Sequence, residues 1–384
     1  MAEPIEVAIV GMAAVFPGAP DAPTYWRNIV GRLDAISAVP EGRLDPAYHD
    51  PEGWRSPASD RIYAWRGGFV DDPAAFDPLR FGMMPMAVPH AEPDQLMALQ
   101  IAADAIEDAG GAARLPDRDR VGVVLGRGGY LGAGVVRLEQ RVRTARQLVA
   151  VLEQLLPEVE RERLEEVRRA FTNQLGPEQP EAAIGLVPNL AASRIANRLD
   201  LCGPAYTVDA ACASSLIAVD HAVRELSSGR CDLVLAGGVH HSHDITLWSV
   251  FSQLRALSPS ECIRPFSRHA DGVLIGEGTG VVVLKRLDDA LRDGDRVYAV
   301  VRGTGVAGDG RATTLMAPQS GGQVLAIRQA WQAAGLDPQA PGAVGLIEAH
   351  GTATPAGDDA ELSTLQEVFG EDPAAGIIGL GSVK

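Results

Sequence analysis

Apolar residues recur along this chain in two rhythms. Short, mainly apolar runs stand at Val7–Val10, Val121–Leu125, Tyr206–Asp209, Asp232–Ala236, Gly280–Lys285, Val297–Gly303, Gly345–Glu348 and Ile377–Leu380. Runs of this length predict strands, and many are continuous rather than alternating, as in strands covered on both faces. Between them apolar residues return every three or four positions. Leu96, Leu99, Ala103 and Ile106 line one face of a predicted helix over 93–109, and 323–334 and 360–369 read the same way. Strands alternating with amphipathic helices predict an α/β fold with buried sheets.

Two stretches break the rhythm. Residues 14–90 are rich in Pro, Gly and Asp and predict a loop-rich cap with short helices. Residues 135–175 predict a helical insertion. Leu138, Val142, Ala145, Val149 and Leu152 mark one helix, Pro157 interrupts it, and Leu164, Val167 and Phe171 mark a second, with polar faces crowded by Arg and Glu. No short-period repeat is visible. The two halves resemble each other loosely, each with strands leading to a junction that carries a reactive side chain. The divide is placed near Leu257, giving halves 1–256 and 257–384.

With 384 residues, 46% of them apolar, the chain has material for a large core. A formal net charge of −16 argues against a nucleic-acid or anionic-membrane binder. No run reaches the ~20 apolar residues of a membrane span. The start, apolar but with Glu3 and Glu6 and no basic segment, reads as a strand rather than a signal peptide, so a cytoplasmic protein is expected. Cys202, Cys212, Cys231 and Cys262 show no CxxC spacing and read as reduced, mostly buried thiols.

Two segments carry candidate chemistry. In Gly203-Pro-Ala-Tyr-Thr-Val-Asp-Ala-Ala-Cys212-Ala-Ser-Ser215 a strand ends at Asp209, and a helix with Leu216, Val219 and Val223 on one face begins after Cys212. The partial positive charge of a helix start favours a thiolate, and small neighbours leave room for a substrate. A structural thiol at a helix start and a nucleophile are equally open readings on these residues alone. In Glu348-Ala-His350-Gly-Thr-Ala-Thr-Pro-Ala-Gly-Asp358, His350 leaves an apolar strand for a loop of Gly and Thr. An imidazole there can donate to a developing oxyanion or exchange a proton near neutral pH, and it can equally just tie the loop down. Thr352 and Thr354 offer hydroxyls to the amides of an extended ligand arm. Asp358 and Asp359 read as ordinary helix-start carboxylates.

Together these segments resemble the ketosynthases of polyketide and fatty-acid synthesis: the first matches their nucleophile motif, and the second matches their first-histidine motif. Ile263-Arg-Pro-Phe266, Ala270-Asp-Gly272 and Gly276-Glu-Gly-Thr-Gly280 are similar to the segments between, and Gly381-Ser-Val-Lys384 is similar to the start of the family's lysine motif. Ala210, Ala213 and Ala353 stand where Thr, Ser and Gly are frequent. The 135–175 insertion, with Glu92-Pro-Asp-Gln95, looks closer to iterative synthases of the polyunsaturated-fatty-acid or enediyne type.

The resemblance implies a thiolase-like fold of two similar halves in five alternating layers, with the second half incomplete, normally as a homodimer beside neighbouring synthase domains. It implies that Cys212 takes an acyl group from the phosphopantetheine arm of an acyl carrier protein, and that His350 stabilises the enolate formed as a malonyl-type extender loses CO2. Thr352 and Thr354 would hold the pantetheine amides, and Lys384 would orient the region of a second histidine. No metal or nucleotide cofactor is implied. That second histidine and a Gly-rich oxyanion segment would lie beyond Lys384, so the chain as written is expected not to complete condensation. Other readings are a thiolase-superfamily enzyme using CoA thioesters, or a non-elongating, chain-length-factor-like partner that only binds carriers.

Other signals carry less. Gly126-Arg-Gly-Gly-Tyr-Leu-Gly132 fails GxGxxG because Leu131 falls on the third Gly. His240, His241 and His243 lack a standard metal-ligand spacing.

Overall fold

A computed structural model describes residues 6–129, 132–178, 180–241, 244–312, 314, 317–370 and 377–383. Strand β1 (Val7–Val15) and helix α1 (Ala22–Val30) open the chain, followed by a loop-rich stretch with the short strands β2 (Ser37–Ala38) and β3 (Arg66–Gly67). Helix α2 (Pro93–Asp108) leads to β4 (Val121–Gly126). The predicted insertion is helical: α3 (Ala133–Glu139) runs through a π-turn at Gln140–Thr144 into α4 (Ala145–Leu155), and α5 (Arg161–Gln174) and α6 (Pro180–Gly185) follow. Then come α7 (Leu190–Leu199), β5 (Ala205–Val208), α8 (Ser214–Ser227), β6 (Leu233–His240), α9 (Ile245–Gln253), β7 (Gly278–Arg286), α10 (Leu287–Asp293) and β8 (Ala299–Val301). The last elements are α11 (Ser320–Ala334), β9 (Leu346–Glu348), α12 (Pro355–Phe369) and β10 (Gly379–Gly381).

Each of the eight apolar runs forms a strand, with ends shifted by a few residues. Six strands join in one mixed sheet of order β5-β4-β6-β7-β1-β8. β4 is parallel to β5 and β6, whereas β7 is antiparallel to both β6 and β1. β9 and β10 form a separate parallel pair. β7 and β8 follow Leu257 in sequence yet belong to the first sheet, so a divide at that position would cut a continuous sheet.

Alternation along the strands feeds two cores. Val123, Leu125 and Leu235 face α2 and α7 and pack with Leu99, Ile106 and Ile195. Val124, Val234 and Ala236 face α8 and pack with Ala218, Ala222 and Leu226. Both faces of β4 are thus covered, and all six of its residues are buried. The insertion contributes little to either core: in α4 and α5 only Ala145 and Leu164 are buried. A cleft of about 650 Å³ opens between these two helices, lined by Arg146, Glu153, Arg161 and Arg168 among others, and neither Cys212 nor His350 lines it. No described helix is long and apolar enough to cross a membrane.

Candidate active site

The chain reaches Cys212 by a turn built from its own polar atoms. β5 ends at Val208, and Asp209 accepts a hydrogen bond from the Ala211 amide through Oδ1 (3.0 Å). Ala211 lies in the left-handed region, with φ +50°. The Ser214 amide and hydroxyl both donate to the Ala211 carbonyl, at 3.1 and 2.6 Å, and Ser214 Oγ accepts from the Ala210 amide at 2.8 Å. Cys212 follows this turn directly and precedes Ala213, the N-cap of α8; it is exposed, as is Cys202, so of the four cysteines expected to be mostly buried only Cys231 is. Ala213 has no side chain that could cap the helix, and among the described residues no side-chain cap bond is made there.

Two glycines let α8 start so close to the sheet. A methyl group at Gly126, the last residue of β4, would lie 2.4 Å from the Ser214 carbonyl carbon. One at Gly238, in β6, would lie 2.8 Å from Ser215 Cβ. The first turn of α8 therefore rests on the bare backbone of two parallel strands, at their carboxyl ends.

His350 follows β9 and is also exposed. Its loop is gripped by two carboxylates of α12. Glu361 accepts the His350 amide at Oε1 (2.7 Å) and the Gly351 amide at Oε2 (2.9 Å). Asp358, only 5% exposed, accepts the Ala353 amide at Oδ1 (3.1 Å) and the Phe266 amide at Oδ2 (2.6 Å). Asp358 is thus more than a helix-start carboxylate: it joins the His350 loop to the Arg-Pro-Phe segment. The Gly272 amide closes the same junction on the Ala353 carbonyl (2.9 Å). Ala353 has φ +57°, which explains why Gly suits this position; here the two backbone bonds hold an alanine in that conformation. Gly351 has φ +53°, and a methyl there would meet Ser382 Oγ at 2.5 Å. The Thr352 and Thr354 hydroxyls bond each other at 3.0 Å, half-buried, with Gly357 packed beneath them.

A buried polar cluster adjoins the carboxyl ends of β4 and β6. Asp94 pairs with Arg127 (2.9 Å) and accepts the His241 amide (2.6 Å). Burial holds His241 down to about 4, and its Nε2 lies 2.6 Å from Thr279 Oγ1. Glu92, 3% exposed, accepts the Gly134 amide through Oε1 (3.0 Å), and burial pushes its carboxyl up. Among the described residues no group of His, Cys, Asp and Glu is arranged to hold a metal. His243 and Lys384 lie outside the described residues.

Sequence reasoning reached Cys212, His350 and the threonines but assigned no role to Asp209 or Glu361. The available signal was Asp209, three residues before Cys212, and the acidic run Asp358-Asp-Ala-Glu361 that follows the His350 loop.

Comparison with known proteins places this geometry. The β-ketoacyl synthase N-terminal domain family model matches residues 5–290, and the C-terminal domain model matches 298–384. Polyketide synthase PksN of Bacillus subtilis is 34% identical over 392 residues, covering 100% of this chain and 6% of the relative. A polyunsaturated fatty acid synthase polypeptide of a Thraustochytrium species is 33% identical over 386 residues, covering 98% of this chain and 13% of the relative. The chain therefore spans a small part of these curated relatives. Among solved structures, the oxazolomycin ketosynthase domain of Streptomyces albus superposes with a TM-score of 0.79 at 32% identity, over 99% of this chain and 58% of that one. The PfaC ketosynthase–chain length factor superposes with a TM-score of 0.83 at 29% identity, over 99% and 39%. Likeness of this extent gives the chain the thiolase-like fold. With both family models matched across nearly the whole chain, the chain belongs to the β-ketoacyl synthase family.

Proposed function

We propose that this chain is part of the condensing unit of a polyketide or fatty-acid synthase, the unit that joins an acyl group to a malonyl-type extender with loss of CO2. The observation that carries this reading is Cys212, exposed at the uncapped start of α8, in a chain matched by both halves of the family. The Cys212 thiolate attacks an acyl thioester; the carrier's thiol leaves with a proton, and the acyl group stays on sulfur. A malonyl thioester then loses CO2, and the resulting carbanion attacks the acyl carbon, expelling the Cys212 thiolate and giving a β-ketoacyl thioester. A soft sulfur serves both as acceptor and as leaving group. His350 donates a hydrogen bond to the thioester oxygen as it gains charge.

The thiol-bearing arm is assigned to an acyl carrier protein, and Thr352 and Thr354 to its pantetheine amides. A homodimer is part of the same proposal: β5 is an edge strand of the described sheet, where a second copy can dock, and Asn189 covers the Thr207 amide on that edge (3.0 Å). The experiment is mass spectrometry of the protein after exposure to an acyl thioester and to malonyl carrier protein. Cys212→Ala abolishes acyl uptake. His350→Ala retains uptake and loses malonyl decarboxylation by ~10²–10⁴-fold. Undiminished acyl uptake in the Cys212 variant rejects the nucleophile, and equal loss of both steps in the His350 variant rejects the division of labour.

A further inference from the structure

We propose that Asp209 is a positioning residue for Cys212, setting the turn that presents the thiol and locking it to the loop that leaves β4. The inference rests on Cys212 being the acyl acceptor. Asp209 bonds on both sides of the turn. Its Oδ1 accepts the Ala211 amide at 3.0 Å, and its Oδ2 accepts the Gly129 amide at 2.8 Å, from a residue 80 positions earlier. Ala211 sits at φ +50°, where a residue with a Cβ stays only if its surroundings hold it. Those surroundings are Asp209 on its N–H and Ser214 on its carbonyl. Loosening the first bond lets Ala211 relax toward the right-handed region, and Cys212, the next residue, turns with it.

The other half of the lock is equally specific. The Arg127 amide donates to the Val208 carbonyl at 3.0 Å, so 127–129 lies zipped along 208–209. A methyl group at Gly129 would lie 3.2 Å from Asp209 Oδ2, so glycine lets the amide approach the carboxylate. Five residues on, Glu92 holds the Gly134 amide near the start of α3. Asp209 thus ties Gly129, which follows β4, to the turn that presents the nucleophile, and Glu92 separately holds Gly134.

Both partners of Asp209 are N–H donors, so a carboxylate satisfies the pair and an amide cannot. Asparagine keeps its shape but turns an NH2 toward one of the two amides. Attack on a thioester carbonyl demands an aligned thiolate, whereas a small alkylating agent reaches an exposed thiol from many directions. Asp209→Asn therefore slows acyl transfer from a hexanoyl-N-acetylcysteamine thioester to Cys212 by ~10–100-fold, while alkylation by iodoacetamide changes by less than about threefold. Gly129→Ala, which crowds the same carboxylate from the other side, gives the same split at smaller size. The double variant is no worse than Asp209→Asn alone, because both break one contact.

Equal slowing of both reactions, or none in either, overturns the positioning role, as does an additive double variant. The unsubstituted protein separates this role from the nucleophile reading beneath it. If it takes up no hexanoyl group at Cys212, the nucleophile reading itself fails and the role of Asp209 fails with it. If it does, and Asp209→Asn does so equally fast, the positioning role alone fails.

Discussion

Replacing Glu361 by glutamine tests whether one carboxylate holds the His350 loop. In the parent, its two oxygens accept the His350 and Gly351 amides at 2.7 and 2.9 Å. Hydrogen bonds to a charged acceptor each contribute about 1.5–3 kcal/mol. Glutamine keeps one acceptor, now neutral, and presents NH2 to the other amide, so one bond is lost and the second weakened. A net loss of about 2 kcal/mol in the free energy of opening the loop corresponds to roughly 30-fold faster exchange. Native-state hydrogen exchange at the His350 and Gly351 amides reads this directly. Glu361→Ala removes both acceptors and exchanges faster still. The Ala353 amide provides an internal control, because Asp358 holds it independently at 3.1 Å. Its protection stays at the parent level in both Glu361 variants and falls in Asp358→Asn. Unchanged protection of His350 and Gly351 in Glu361→Ala would show that something other than this carboxylate orders the loop. Exchange rising together at 350, 351 and 353 would refute two separate clamps.

Three further outcomes follow from the same geometry. Gly126→Ala places a methyl 2.4 Å from the Ser214 backbone and must push the first turn of α8 off the sheet; denaturant unfolding shows a loss of about 1–3 kcal/mol, and a variant as stable as the parent contradicts the close packing. Burial pushes the Cys231 thiol up to about 11, so iodoacetamide at pH 8 alkylates exposed Cys212 and leaves Cys231 unmodified in the folded protein; comparable labelling of the two peptides would refute this. His241 is held down to about 4, against an ordinary 6.5 when unfolded, so the unfolded chain binds the extra proton between these values: its contribution is whole above pH 6.5 and is lost as pH falls toward 4, by about 2 kcal/mol between pH 7 and pH 5. His241→Gln flattens this part of the pH dependence of the denaturation midpoint, and an identical pH dependence in parent and variant rejects it.

Much of the molecule is written locally. The apolar runs marked the strands: β4 is buried along its whole length, as a continuous run predicts, whereas β9 and β10 stay partly exposed. The helical insertion was legible from its amphipathic period, the three- and four-residue spacing of Leu164, Val167 and Phe171. Cys212 and His350 stood out because each is a reactive side chain among small residues at the end of a strand. Tertiary structure alone decided the rest. The strand order β5-β4-β6-β7-β1-β8 sets β1 between strands about 270 and 290 residues away, and β7 joins the first sheet across the expected divide. Pairing of that kind depends on which buried faces complement each other in space, and local periodicity carries no record of it. The carboxylates followed the same rule. Asp209, Asp358 and Glu361 look in sequence like helix-end or surface acids, yet they accept backbone amides from Gly129, Phe266 and His350. A carboxylate takes any N–H that the fold brings within reach, so its partner is determined only once the chain has closed on itself.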